Sequence, residues 1–476
     1  MSDAGTGSGL WSNLAGQAQA LPSMVASSVR QWFVNREPLR ATDASRPIVV
    51  VAPDAPPLVR YARVLHGLQS PVAFVDPGAG PLLYAVDQTG LVYSYDARRA
   101  SAALDVQVVP PHGTRYTYRD GQTIVVPPLL DVRRRIGALS PLAEERGLLQ
   151  MVFHPRDAGR FFLYYTVTPA RNRADAVDVV LEEWRLLDPD ADSGDEDDTQ
   201  DDDDDGTSSS EDEDEADSAA FGAKPVRVLL RMGHPQSNHF GSPIGFSSAD
   251  GLLYVATGDG GGAGDKHGPI GNAQNPVSVW GKILRLDVDA ADPRGTLRIV
   301  SLGLRNPWRC SFANDGRTML LGEVGQDKYE GIHADSGGGE NHGWRGVENS
   351  FPYDAKLLSE LLASGVRITA PLMWYRRRLG RAVIGGYELA HGRGYLFGDF
   401  TGGGGLDNVY LLRADSPDGD WKREGALWVQ PIERAGERAR YLHSFARDRR
   451  GTLYGAFSNS LGPAGRKGAI YRIDVS

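Results

Sequence analysis

Residues 237–289 read SNHFGSPIGFSSADGLLYVATGDGGGAGDKHGPIGNAQNPVSVWGKILRLDVD. Within that stretch a histidine, two β-strand signatures and a loop of glycine and aspartate follow one another. The same strand pattern recurs at Leu83–Tyr84, Leu163–Tyr164, Leu253–Tyr254, Leu320–Leu321, Tyr395–Phe397 and Leu453–Tyr454. A second strand follows many copies: GLVYSYD from Gly90, VVLEEWRLLD from Val179, GKILRLDVD from Gly281, NVYLLRAD from Asn408 and GAIYRIDVS from Gly468. Period-two alternation rich in β-branched and aromatic residues marks half-buried antiparallel strands. Repeated units of this kind bury their faces against their neighbours, and radial closure removes their bare edges. The expectation is an all-β chain, a six-bladed β-propeller of four-stranded antiparallel blades, with two separate sandwiches as the alternative. A chain ending on such a strand points to a last blade completed from both ends.

Composition agrees: 58 glycines and 29 prolines among 476 residues suit a turn-rich β protein. The single cysteine, Cys310, excludes an intramolecular disulfide and a cysteine-cluster metal site, and its run WRCSF reads as a buried strand. No run approaches the roughly 18 apolar residues of a transmembrane segment. Residues 1–46 lie outside the repeat and read as an N-terminal arm, helical or disordered, with the propeller spanning 47–476. The arm lacks the basic start and continuous apolar core of a secretory signal. Together with the missing disulfides, this favours an intracellular or encapsulated protein over a secreted one.

From Asp188 to Asp217 the chain holds 18 acids and no Lys, Arg or His. Such a run repels itself and is expected to be disordered. It reads as an insertion, 188–219, at a hairpin tip of the second blade. Without it, 43 acids face 51 Lys plus Arg, a formal +8, so one loop sets the overall −10. A solvating insertion is one reading. A cover for basic patches such as Arg376–Arg378 and Arg447–Arg450 is the other. A protein partner would meet the chain through this loop or the N-terminal arm; nothing points specifically to nucleic acid.

Motifs then appear in a fixed order: GLLQMVFHP from Gly147, NHFGSPIGF from Asn238, LLYVATGDGGGAGD from Leu252, GNAQN from Gly271, GKILRLDVD from Gly281 and LGLRNPWRCSF from Leu302. GEVGQDKYEGI from Gly322, GGENHGW from Gly338, AVIGGYE from Ala382 and RGYLFGDF from Arg393 continue it. In these, from about Tyr61 to the C-terminus, the chain resembles the glucose/sorbosone dehydrogenase family, which includes soluble quinoprotein aldose dehydrogenases and the propeller of hedgehog-interacting-like proteins.

The resemblance implies pyrroloquinoline quinone (PQQ) over the top of the propeller beside calcium, and oxidation of an aldose sugar or small alcohol substrate at the anomeric carbon. His239 takes the general-base position, a task that suits histidine as a residue type because an imidazole ordinarily titrates near working pH. Asp259 is placed to orient it, Asn238 adjoins it, and Arg305 with Asn306 match the pair gripping the quinone, where a fixed cation meets developing negative charge. Gly325 and Gln326 match carbonyl ligands of the cofactor-linked calcium, and Glu330 lies near the position of a second, structural ion.

The same resemblance has departures. Thr401, Tyr441 and His443 stand where the enzymes place cations for the quinone's carboxylates. Arg438 and Arg440, three residues upstream, serve only if the strand register shifts. Glu145 aligns with a quinone-contacting glutamine and sets an acid beside an anionic ligand. Plain alternatives stay open: His239 as a structural histidine at a blade junction, and Arg305 and Asn306 as partners of loop carbonyls. Gly258, Gly260 and Ala263 also spell a dinucleotide fingerprint, but a proline- and glycine-rich segment replaces the helix it requires. At the level of the whole chain, the alternative to a PQQ enzyme is a propeller that has lost quinone binding and serves as a binding or structural protein.

Overall fold

A computed structural model describes residues 58–142, 144–168, 177–187, 219–220, 222–241, 243–392, 394–402, 408–414, 421, 427–431, 433–435 and 438–475. The N-terminal arm and nearly all of the acidic insertion lie outside the described residues. The strands flanking that insertion, Val177–Leu186 and Ala223–His234, are antiparallel neighbours with Leu186 opposite Ala223.

The chain forms an all-β propeller of mainly four-stranded antiparallel blades. Five sheets stand as separate blades and follow one another along the sequence. The first comprises Pro71–Val75, Leu82–Asp87, Leu91–Asp96 and Pro128–Asp131, with Ala219–Ala220 added at its edge. The second comprises Leu148–His154, Asp157–Val167, Val177–Leu186 and Ala223–His234. The third comprises Ile244–Phe246, Leu253–Ala256, Lys282–Leu286 and Arg298–Leu302. Pro307–Phe312, Met319–Glu323, Tyr329–Asp335 and Met373–Arg376 make the fourth. Val383–Glu388, Tyr395–Asp399, Val409–Ala414 and Leu427–Pro431 make the fifth.

Six separate blades are expected from the repeat, but the chain forms five. The remaining strands Tyr441–Arg447, Leu453–Ser458, Gly468–Val475 and Leu58–Leu68 belong to an eight-stranded sheet. The connection from Leu91–Asp96 to Pro128–Asp131 contains three extra strands, Asp105–Val109, Gly113–Thr117 and Thr123–Val126. The first of these pairs in parallel with Leu58–Leu68 through His66 and Gln107, so the open edge of that strand is extended. Closure from both ends is realised: Val59 lies opposite Val475 and Leu68 opposite Gly468.

Each of the six repeated strand motifs lies in the second strand of its group, where side chains face sheets on both sides. The hydrophobic core is accordingly divided into clusters shared by successive sheets. Val86 and Val92 meet Phe161 and Trp184 between the first and second sheets. Leu181 meets Val255 and Leu284 between the second and third. Phe74 and Ala85 meet Ala456 and Ile470 across the closure. A fully buried Val, Leu or Phe stabilises by about 1.5–3 kcal/mol relative to exposure, so every sheet depends on both neighbours. Cys310, expected to be buried, is half-buried in Pro307–Phe312 at the margin of the cluster around Met319. No described helix is long and apolar enough to cross a membrane.

Candidate functional site

In an antiparallel four-stranded blade, the loop between the second and third strands and the passage to the next blade emerge at one end. The segments 257–281 and 324–328, and the passages 235–243 and 303–306, therefore share one face. His239 occupies the passage from the second to the third blade with φ +62, a conformation rare for residues other than glycine. Three contacts hold it there. Its backbone N–H donates to Glu145 Oε2 at 2.7 Å. Its carbonyl faces Nε2 of buried His234 at 3.2 Å, while Nδ1 of that ring lies 2.5 Å from the Gln236 carbonyl, and burial pushes His234 down to about 4. Its own Nδ1 lies 2.7 Å from Asp259 Oδ1.

Asp259 is fully buried. Burial alone would raise its carboxyl. The hydrogen bond and charge of His239, the Arg305 guanidinium and the Gly261 N–H outweigh that effect and hold it below the ordinary carboxylate range. Its other oxygen accepts from Trp344 Nε1 at 2.8 Å. An ionised Asp259 receiving Nδ1–H leaves the lone pair of His239 on Nε2, the arrangement a general base requires.

Asp259 N–H donates to the Arg305 carbonyl at 2.7 Å, and Gly241 N–H donates to Asn306 Oδ1 at 3.2 Å. The four residues 238, 239, 305 and 306 are thereby gathered around one loop, Asn238 half-buried beside His239. Arg305 Nε donates to Gln326 Oε1 at 3.1 Å and its Nη1 to the Val324 carbonyl at 2.9 Å, with the guanidinium 5.7 Å from the centre of the Trp344 ring. Glu323 Oε1 accepts the N–H groups of Arg305 and Asn306 at 2.9 and 2.8 Å. Glu323 Oε2 has no hydrogen-bond partner. Glu323 lines a cavity of about 10 Å³ with Arg305, His333, His342 and Trp344, room for about one water molecule. Burial raises Glu323 to about 7 against the pull of those two N–H groups.

With this geometry in place, the profile of the glucose/sorbosone dehydrogenases matches residues 105–462. The chain belongs to the glucose/sorbosone dehydrogenase family. It is 32% identical over 280 residues to the HIPL2 protein of Arabidopsis thaliana, a match covering 51% of this chain and 40% of that relative, so the chain spans less than half the relative's length. Two solved structures share the fold. The soluble aldose sugar dehydrogenase of Escherichia coli, in its apo form, is 15% identical with TM-score 0.51, covering 88% of this chain and 100% of that one. The PQQ domain of pyranose dehydrogenase from Coprinopsis cinerea is 13% identical with TM-score 0.51, covering 91% and 99%.

Other residues predicted for the family's cofactor are placed elsewhere or already engaged. Arg438 packs its guanidinium 4.3 Å from the centre of Phe457 and 5.0 Å from that of Tyr61, bonded to Asn408 Oδ1 and the Ala439 carbonyl, inside the closing sheet. Arg440 is exposed and lies over Tyr441. Burial, aided by Arg309, pushes His443 down to about 4, so no cation stands there at neutral pH. Thr401 donates its N–H to Asp399. The side of the site that would anchor a tricarboxylate thus does not fit the quinone, whereas the His239 side suits its chemistry.

Of the residues expected at the two calcium ions, Gly325 at the cofactor-linked one and Glu330 at the structural one are already engaged. The Gly325 carbonyl accepts from Arg377 Nη2 at 2.8 Å, and Glu330 gives Oε1 to Arg377 Nε at 2.9 Å and Oε2 to the N–H groups of Gly325 and Val383. Gln326, expected to offer its backbone carbonyl, turns its side-chain oxygen to Arg305 and the Gly264 N–H. No cluster of three or more His, Cys, Asp or Glu able to hold a metal occurs among the described residues.

Sequence reasoning missed Trp344 and His234. Trp344 sits in the quoted motif GGENHGW, so a signal existed. His234 had none, because its role is a bond to a backbone carbonyl.

Proposed function

We propose that this chain is an aldose-dehydrogenase-like propeller in which Nε2 of His239 takes the proton from a sugar hydroxyl. The 2.7 Å contact between His239 Nδ1 and Asp259 Oδ1 carries the reading, because a buried carboxylate fixes the tautomer and stabilises the imidazolium formed on proton transfer. Arg305 lends positive charge at the same place. We read the strands Tyr441–Arg447, Leu453–Ser458, Gly468–Val475 and Leu58–Leu68 as the sixth blade, which the extra hairpin strands extend. The acidic run and the N-terminal arm remain the segments offered to a protein partner.

The experiment is a titration with pyrroloquinoline quinone, with and without calcium, followed by absorbance and thermal stability, and then a sugar-oxidation assay on wild type and His239→Asn. Asparagine adopts a positive φ with little strain, so the variant should keep its melting temperature within about 2 °C and its quinone affinity. Sugar oxidation should fall by about a hundredfold or more. Equal turnover in the variant would overturn the assignment. A second reading, a propeller that has lost quinone binding and acts as a binding protein, is favoured by the packing of Arg438 and the neutrality of His443. It predicts no saturable quinone binding.

A further inference from the structure

We propose that Arg377 is an internal replacement for a bound divalent cation: its guanidinium bridges Glu330 and the Gly325 carbonyl and orders the 323–330 segment without calcium. Glu330 is wholly buried, and a buried carboxylate must be paired or neutralised. Three donors meet its two oxygens. Arg377 Nε donates to Oε1 at 2.9 Å, while the N–H groups of Gly325 and Val383 donate to Oε2 at 3.2 and 3.1 Å. Arg377 Nη2 reaches the Gly325 carbonyl at 2.8 Å, and the Arg377 N–H donates to the Lys328 carbonyl at 3.1 Å. One planar cation thus binds a carboxylate and a carbonyl of the same turn, the two kinds of oxygen a hard cation prefers.

The turn leaves no latitude for a rival arrangement. A Cβ at Gly325 would fall 1.6 Å from the Tyr329 carbonyl oxygen, so the backbone itself closes over the site. The neighbouring carboxylate is also committed, since Asp399 accepts from Tyr375 Oη at 2.6 Å and from the N–H groups of Arg381, Ala382 and Thr401. A calcium ion entering here would have to displace Arg377 from both oxygens and leave a second cation beside it.

The inference stands whether or not the chain oxidises sugars, and its test uses no activity. Calcium chloride alone is titrated calorimetrically into the EDTA-treated full chain and into Glu330→Gln. The two isotherms should coincide. Saturable calcium binding in the wild type that Glu330→Gln abolishes would overturn the proposal. In a second measurement Arg377→Met is melted in EDTA. A fall of roughly 1–2 °C is expected for a partly exposed ion pair that orders a loop in a chain of this length, and a wild-type melting temperature would sink the organising role. Should Arg377→Met fail to fold, the double variant Arg377→Met/Glu330→Gln takes its place. Because it removes the unpaired buried charge along with its partner, it should fold, and failure of the double variant would count against the pairing.

Discussion

At the scale of single residues, His239 is defined by what surrounds its backbone as much as by its ring. A left-handed histidine is held by Glu145 on its N–H, by His234 on its carbonyl and by Asp259 on Nδ1. Glu145 therefore positions the backbone of His239, the residue proposed as the base. Glu323 offers a test of the charge beneath Arg305 and Asn306. Its folded pKa of about 7 is raised above the ordinary carboxylate value by burial. The native state then binds the proton more tightly than the unfolded chain, so the stabilising contribution is full at low pH and is lost as pH rises from about 4.5 to 7. Glu323→Gln keeps an oxygen for the two N–H donors and removes the titration. Its melting temperature relative to wild type should rise between pH 5 and pH 8, and a pH-independent difference in thermal melts would refute the assignment.

At the scale of elements, the passage that carries His239 and the loop that carries Asp259 are in register because their backbones touch at Gly258. A Cβ there would stand 2.1 Å from the His239 carbonyl oxygen and 3.1 Å from that of Arg305. Gly258→Ala must push the two segments apart, though the side chains of His239 and Asp259 are unchanged. The expected result is a melting temperature lower by several degrees and a sugar-oxidation rate reduced roughly a hundredfold, the scale of a misplacement near 1 Å. Wild-type turnover in that variant would show that the close approach is not needed. The elements of the fold were legible for a simple reason. Strands such as Val177–Leu186 and Lys282–Leu286 are written locally, in residues that alternate between two faces, and each recurring motif became a second or third strand. The extra strands Asp105–Val109 and Gly113–Thr117 carry the same alternation, but it does not say which sheet they join.

At the scale of the whole molecule, stability rests on closure. Gly468–Val475 lies between Leu453–Ser458 and Leu58–Leu68 and bonds to both. Removing residues 468–476 would bare two strand edges and uncover Ala456 and Phe74, which pack in the cluster that Ile470 completes. The truncated chain should lose its cooperative melt and enter aggregates, read by circular dichroism and gel filtration; an unchanged melt would mean that the ring closes elsewhere. By itself the sequence determined the repeat, the strands, the family and the loop residues His239, Asp259, Arg305 and Asn306, because period and motif are local properties of the chain. Only the tertiary structure decided that Glu145 meets His239 across 94 positions and that Trp344 meets Asp259 across 85. It also decided that Arg438 is turned into the closing sheet and that Arg377 satisfies Glu330 and Gly325. Those outcomes depend on which buried charge finds which partner once the blades have packed, and local alternation carries no record of that choice.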